Sequence, residues 1–248
     1  MKARGFIIAG VTALGLLGAV GSTAQPVEVR PVRLTATTNE PVVVELFTAQ
    51  GCSGCPAANQ VVEGLAEEPG VIALTYAVDY WDYLGWPDTF AKPEFAQRQR
   101  AYQAAMQLRN VYTPQVVIDG RRQLSGAQGP AIQVAVNEEA ARRIFPPQVQ
   151  FRETGDAVGV GSGRAPASGA DVWAVIYRPG LQTVAVAGGD NRGRAVRHVN
   201  VVQSLTRLGE WTGRPILLTL PEAADPADKV VVMVQSRGDR RILSAATR

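Results

Sequence analysis

The stretch Val42–Pro56, Val-Val-Val-Glu-Leu-Phe-Thr-Ala-Gln-Gly-Cys-Ser-Gly-Cys-Pro, decides how the rest of the chain is read. Val42–Phe47 is a short apolar run of the kind that forms a buried strand. Cys52-Ser53-Gly54-Cys55 follows. Pro56 suits the first turn of a helix, where its missing N–H is no loss. Val61, Val62, Leu65 and Ala66 mark the inner face of that helix, and Pro69-Gly70 ends it. A C-x-x-C between a strand and a helix is the context in which two cysteines mean redox chemistry. The helix start brings unpaired N–H groups and the positive end of its dipole to the first cysteine, which favours thiolate over thiol. A thiol of pKa about 8.5 is roughly a few per cent ionised at pH 7, whereas one of pKa about 6 is about 90% ionised. Cys52 is expected to be the exposed nucleophile and Cys55 the buried resolving thiol. Two other readings stay open. One is a structural disulfide, whose small loop gains only about 2 kcal/mol. The other is half of a metal site. Zinc needs four ligands and the chain has two Cys and one His. Copper held by Cys52, Cys55 and His198 is chemically allowed.

Outward from this stretch, Val71–Val78 reads as a second strand. Asp79–Asn110 reads as a polar, aromatic and mostly helical insertion, with Gln97–Leu108 rich in helix formers. Gln115–Ile118 is a third strand, Asp119-Gly120 a tight turn and Arg122–Ser125 the return strand. Gly129–Ile144 is a final helix, with Ile132, Val136 and Ala140 at helical spacing. The order is that of an α/β layer. Phe145-Pro146-Pro147 looks like a domain boundary. Beyond it, Val149–Phe151, Val172–Tyr177, Thr183–Ala187, Ile216–Leu220 and Val230–Val234 are short strands broken by Gly, Pro and Asp, the pattern of an all-β sandwich or small barrel. Gly161-Ser162-Gly163 and Gly188–Gly193 lack the spacing of phosphate loops and read as turns.

Several single residues carry two readings each. Pro114, just before the third strand, cannot donate to a ladder. A cis Thr113–Pro114 bond explains it and sets the Thr113 backbone beside the cysteines; a plain trans loop proline is the alternative. Glu45 inside an apolar strand needs a partner or a proton. It is either a proton acceptor for Cys55 or a carboxylate paired with an arginine or at a wet edge. Asp79, Trp81, Asp82 and Trp86 follow the second strand, at the strand ends where α/β sites lie. Trp81 and Trp86 form a substrate wall on one reading. On the other they are a local core of the insertion, with Asp79 and Asp82 as helix caps. His198, in the alternating stretch Val196–Val202, reads as a half-exposed strand histidine hydrogen-bonded locally, with a copper ligand or an inter-domain contact as its functional readings.

The chain has 248 residues, 46% of them apolar and 19% charged, enough for a core and too little charge for a disordered chain. Residues 1–24 read as a secretory signal: Lys2 and Arg4, then the apolar run Phe6–Val20, then Ser22-Thr23-Ala24 before a cut at Gln25. An uncleaved membrane anchor is the alternative, against which the shortness of the run argues. The leader carries two of the 25 basic residues and none of the 22 acidic ones, so the formal charge falls from +3 to +1. A chain so balanced has no general electrostatic reason to bind nucleic acid. The expected location is periplasmic or secreted, where disulfides persist, with no membrane span after signal cleavage.

Val44–Pro56, Val78–Trp86 (Val-Asp-Tyr-Trp-Asp-Tyr-Leu-Gly-Trp) and Val111-Tyr112-Thr113-Pro114-Gln115 resemble a family of exported bacterial thioredoxin-like proteins, catalogued as domain of unknown function 1223. Gly189-Asp190-Asn191-Arg192-Gly193 and His198–Val202 resemble it too. The resemblance implies a thioredoxin fold with a C-terminal β extension, a redox pair at Cys52 and Cys55, and a cis Pro114. The family often has Ser where Ala49 and Gly54 stand, and Asp where Asn59 stands. Taken together, the expectation is an α/β protein. An extended lead-in over 25–40 precedes a thioredoxin-like domain over 41–145 with a helical insertion at 79–110, and a β-rich, sandwich-like domain follows over 146–248. The expected function is a secreted thiol–disulfide oxidoreductase acting on protein thiols or disulfides, with a redox partner of its own. Cys52, Cys55 and Glu45 are the expected catalytic residues; Thr113, Pro114, Trp81 and Trp86 line the substrate groove. No bound cofactor or metal is needed, since the electrons move through the thiols. A copper-binding protein using His198, or a non-catalytic thioredoxin-fold binding module, are the alternatives.

Overall fold

A computed structural model describes residues 40–142 and 146–248. The expected leader, residues 25–39 of the lead-in, and Phe145 lie outside the described residues. Strand β1 is Val42–Thr48, with every residue buried. Its alternating side chains fill two cores. Val43 and Phe47 face one, and Val42, Val44 and Leu46 face the other. A strand covered on both faces needs the continuous apolar run that the sequence supplies. Helix α1, Cys55–Ala66, buries Ala58, Val62 and Leu65 in the second core. Strand β2, Val71–Ala77, pairs parallel to β1.

Helix α2, Pro93–Ala105, starts four residues before the expected Gln97, because Pro93 occupies its first turn. Between β2 and α2 the chain makes a 3-10 turn at Asp82–Leu84. Strand β3, Gln115–Ile118, runs antiparallel to β1 and pairs with β4, Arg122–Ser125. Asp119 and Gly120 have φ of 48° and 64°, as a tight turn requires. Helix α3, Gly129–Ala140, buries Ile132, Ala135 and Val136 beside α1. Ala140 is exposed, and the buried place near it goes to Glu139, which pairs with Arg121 at 3.4 Å and Arg142 at 3.6 Å.

From residue 146 onward every described helix or strand is a strand: β5 (Val149–Phe151), β6 (Ala157–Val160), β7 (Ala170–Ala185), β8 (Ala195–Trp211), β9 (Ile216–Thr219), β10 (Lys229–Ser236) and β11 (Ile242–Thr247). The long hairpin β7–β8 replaces the two short strands expected at Val172–Tyr177 and Thr183–Ala187. Register shifts between Arg178 and Leu181 absorb Pro179-Gly180, which the sequence reads as a break.

The strands form one mixed sheet of eight, in the order β11-β10-β7-β8-β2-β1-β3-β4, and a small sheet of three, β5-β6-β9. The small sheet covers the outer part of the large one. Val158 and Val160 meet Val172, Trp211, Val232 and Val234 there. The seam between the two halves of the chain lies at β2 and β8. One parallel bridge joins Thr75 to Val201. Thr75 Oγ1 donates to the Val199 carbonyl at 2.6 Å, and Asn200 Nδ2 donates to the Ala73 carbonyl at 3.0 Å. The molecule is thus a mixed α/β protein dominated by one large mixed sheet.

Candidate functional site

Cys52 and Cys55 are joined as a disulfide, with Cα atoms 5.4 Å apart. Cys55 is the first residue of α1, and its N–H donates to the Cys52 carbonyl at 3.1 Å. No acidic side chain stands in the first turn of α1 and no side chain caps it. The positive end of the helix therefore faces the pair without a compensating charge. Ser53 and Gly54 are exposed, but Cys55 is 0% exposed and Cys52 only 2%. The expectation of an exposed Cys52 does not hold. The turn between β7 and β8 lies against the cysteine loop: Asp190 N–H donates to the Gly51 carbonyl at 3.2 Å, and Asn191 Nδ2 to the Cys52 carbonyl at 2.7 Å.

The Thr113–Pro114 peptide is cis. Pro114 faces the pair from the start of β3: a Cβ placed on Gly54 would lie 3.6 Å from its Cδ. Trp81 and Trp86 both reach this region through their indole N–H groups. Trp81 donates to Thr113 Oγ1 at 2.7 Å and Trp86 donates to Gln50 Oε1 at 2.8 Å. Both rings are half-buried. Trp81 also stacks on Tyr83, which is 79% exposed. The structure thus brings Cys52, Cys55, Thr113, Pro114, Trp81 and Trp86 around one loop.

That loop is held by contacts that no sequence motif marks. Gln50 donates its backbone N–H to Asp88 Oδ2 at 2.6 Å and its side-chain amide to Thr89 Oγ1 at 2.8 Å. Burial raises the Asp88 carboxyl above its ordinary value, against the backbone N–H groups of Gln50 and Phe90 that it accepts from. Asp82, expected as a helix cap, accepts from the Asp88 N–H at 3.0 Å instead. Asn59, one turn into α1, accepts from Thr48 Oγ1 at 2.8 Å and donates to the Arg197 carbonyl at 2.7 Å. These contacts join residues far apart in the chain, so no local pattern announces them.

Of the two readings of Glu45, the structure shows the arginine pair. Arg98 of α2 donates to both carboxylate oxygens, at 2.6 and 3.1 Å, and the Tyr102 hydroxyl donates to one of them. Gln235 of β10 closes the network, donating to Tyr102 Oη at 2.9 Å and accepting from Arg98 at 3.3 Å. Burial raises the Tyr76 and Tyr102 phenols well above their ordinary value, so both stay neutral. Burial opposes the Arg98 charge, and Glu45 beside it more than restores it.

His198 is not half-exposed as expected; it is 0% exposed, with the Phe90 ring edge-on at 5.5 Å. Neither ring nitrogen finds a well-placed hydrogen-bond partner, the Val196 backbone offering at most a weak one. Burial pulls its pKa from 6.5 down to about 4, so the ring is neutral at pH 7. Among the described residues no three His, Cys, Asp or Glu side chains gather as a metal site.

Residues 43–235 match a family model described as a protein of unknown function, DUF1223. No curated protein matches the chain. Among solved structures, a crystal structure of a protein from Agrobacterium tumefaciens is 30% identical, over 83% of this chain and 92% of that one, with a TM-score of 0.68. An endonuclease/exonuclease/phosphatase from Beutenbergia cavernae is 20% identical over 41% of this chain and 22% of its own, and its TM-score of 0.18 carries no likeness of fold. The cysteine loop, the stretch Asp79–Trp86 and the turn at Asn191 all lie within the matched residues, and the chain belongs to the DUF1223 family.

Proposed function

We propose that this protein is an exported, thioredoxin-like thiol–disulfide oxidoreductase working on protein thiols or disulfides through Cys52 and Cys55. The observation that carries the reading is the disulfide bridging the uncapped start of α1, with Pro114 facing it. A structural staple has no need of a helix start left free of acidic groups. A redox pair does, because that end stabilises the Cys52 thiolate released on reduction. The apolar run behind Lys2 and Arg4 supports export, to a place where disulfides persist.

Exchange then runs in two steps. A substrate thiolate attacks Cys52 Sγ, the Cys52–Cys55 bond breaks and Cys55 leaves as a thiolate. A second substrate thiolate attacks the substrate sulfur of this mixed disulfide, forming the substrate disulfide and releasing the Cys52 thiolate. The substrate loses two electrons and the pair gains them; the two protons pass from the substrate thiols to the cysteines. The reverse sequence reduces a substrate disulfide. Potential decides the direction, at about 30 mV per tenfold change in equilibrium. Thr113 and Pro114 shape the groove for the substrate chain, with Trp81 and Trp86 as its wall. Glu45 serves as the anchor of Arg98.

Equilibrating the protein with glutathione and then with dithiothreitol tests the reading. A reversible couple between about −120 and −270 mV is expected, the range of known thiol exchangers. A disulfide that stays closed below about −300 mV would mark a structural bridge and end the oxidoreductase proposal.

A further inference from the structure

The turn between β7 and β8 is closed on itself by Gly193 N–H donating to the Val186 carbonyl at 2.8 Å and Val186 N–H to the Arg194 carbonyl at 3.0 Å. Its outward face is turned onto the cysteine loop. Asn191 is fully buried, and its Nδ2 donates to the Gln50 carbonyl at 2.9 Å and the Cys52 carbonyl at 2.7 Å. Asp190 N–H donates to the Gly51 carbonyl between them. Three consecutive carbonyls, from residues 50 to 52, thus accept from one turn that lies 139 residues downstream of Cys52. Arg194 Nη1 fixes the other end of the Asn191 amide, donating to Oδ1 at 3.2 Å. The approach leaves no room for side chains. A Cβ on Gly189 would come 3.0 Å from Gly51 Cα, and one on Gly188 would come 2.8 Å from the Gly85 carbonyl oxygen.

Buried carbonyls need donors. The Cys52 carbonyl also accepts from the Cys55 N–H, but those of Gln50 and Gly51 would turn to water without this turn. Water at residues 50–52 would open the face on which Cys52 is now 2% exposed. We propose that Asn191 is a positioning residue for Cys52, and that the turn carrying it is the cover that governs how a partner thiol reaches that sulfur. This rests on the reading of the pair as an exchanging disulfide. The cover acts on both rate and equilibrium. A thiolate must approach the buried Cys52 sulfur to attack it, and three hydrogen bonds from the turn to the carbonyls of residues 50–52 restrain the movement of the loop that would open that path. After reduction, a Cys52 thiolate under the turn has little water around it, which disfavours the charged form. Loosening the turn therefore speeds attack and favours the dithiol.

The test compares the oxidised wild type with Asn191→Ala, with Asn191→Asp, which keeps the size and loses the donor, and with Arg194→Ala. The probe is dithiothreitol. One of its thiolates attacks Cys52 Sγ, Cys55 leaves as a thiolate, and the second probe thiol closes the probe's ring and releases Cys52. The probe is oxidised, the pair is reduced and the two protons pass to the cysteines. Far-UV circular dichroism checks the fold. Both Asn191 variants should be reduced about tenfold faster or more, the size expected for losing two buried hydrogen bonds. Their equilibrium with glutathione should move about tenfold toward the dithiol, which is about 30 mV for this couple. Arg194→Ala should move both in the same direction by less. Folded Asn191 variants that match the wild type in rate and equilibrium would overturn the proposal while leaving the oxidoreductase reading intact. A wild type inert to both reagents, beside an Asn191 variant that exchanges, would sustain the cover and remove the oxidoreductase reading. If the Asn191 variants do not fold, Arg194→Ala decides, and an unchanged rate there overturns the proposal. If neither wild type nor variants exchange, both readings fall.

Discussion

A buried imidazole with no firm partner is a liability in acid. His198 has an ordinary pKa of 6.5 and burial lowers it to about 4 in the folded chain. The unfolded chain therefore takes up the proton first as pH falls, and folding is penalised. The contribution is complete above about pH 6.5, is lost progressively between pH 6.5 and 4, and does not change further below that. In full it amounts to about 3 kcal/mol. His198→Phe removes the titrating group from an apolar setting beside Phe90. Urea unfolding at pH 7, 5.5 and 4.5 should show the wild type losing stability relative to this variant over that window; parallel curves would refute the assignment. The sequence leaves an inter-domain contact open for this residue but does not say what would bury it. Alternation in Val196–Val202 offers a wet face, and the residue that closes it, Phe90, comes from the insertion more than a hundred positions earlier. Glu45 differs, because a carboxylate in an apolar run demands a partner in advance, and only its identity as Arg98 waited for the structure.

Among the elements, the seam between β2 and β8 is the thinnest join in the large sheet, with a single bridge at Thr75 and Val201. Asn200 reinforces it while holding a left-handed φ of 50°, a conformation Asn tolerates better than most residues. Its Nδ2 donates to the Ala73 carbonyl and its Oδ1 accepts from Gly180 N–H, each at 3.0 Å. Asn200→Ala loses both bonds and strains the backbone, so a loss of about 1–3 kcal/mol is expected. Asn200→Gly loses the bonds alone and should cost less. Denaturant midpoints decide: equal losses would remove the backbone part of the argument, and no loss in either variant would remove the seam argument altogether. The elements around the cysteines, β1 through β4 with α1 and α3, were legible because each carries its own period and its own stop signal. β6 and β11 were not. Ala157-Val158-Gly159-Val160 is interrupted by a glycine and Ile242–Thr247 is mostly small in its side chains, so neither stands out, and both are strands only because neighbours pair with them. In the site, the same division holds. The cysteines and Pro114 are marked by local motif, whereas Asn191 sits in a turn whose target is elsewhere in the chain.

For the whole molecule, the deciding fact is that the two halves share a core. Val43, Phe47, Leu74 and Tyr76 pack in one cluster with Val175, Val202, Val231 and Met233. A chain ending at residue 142 would expose that face of β1 and β2 and lose Gln235 from the Arg98 network. It should lack a cooperative unfolding transition, and the full chain should unfold in one step with equal calorimetric and van't Hoff enthalpies. Two separate transitions in the full chain, or a truncated chain that melts cooperatively, would contradict this. The Asn191 contact has a further consequence, in time rather than in space. Synthesis proceeds from the N-terminus at about 5–20 residues per second, so the 139 residues between Cys52 and its clasp take on the order of ten seconds to emerge. Throughout that interval the newborn cysteine loop stands bare, and whatever oxidant or reductant surrounds the growing chain meets the pair before its own fold can shield it.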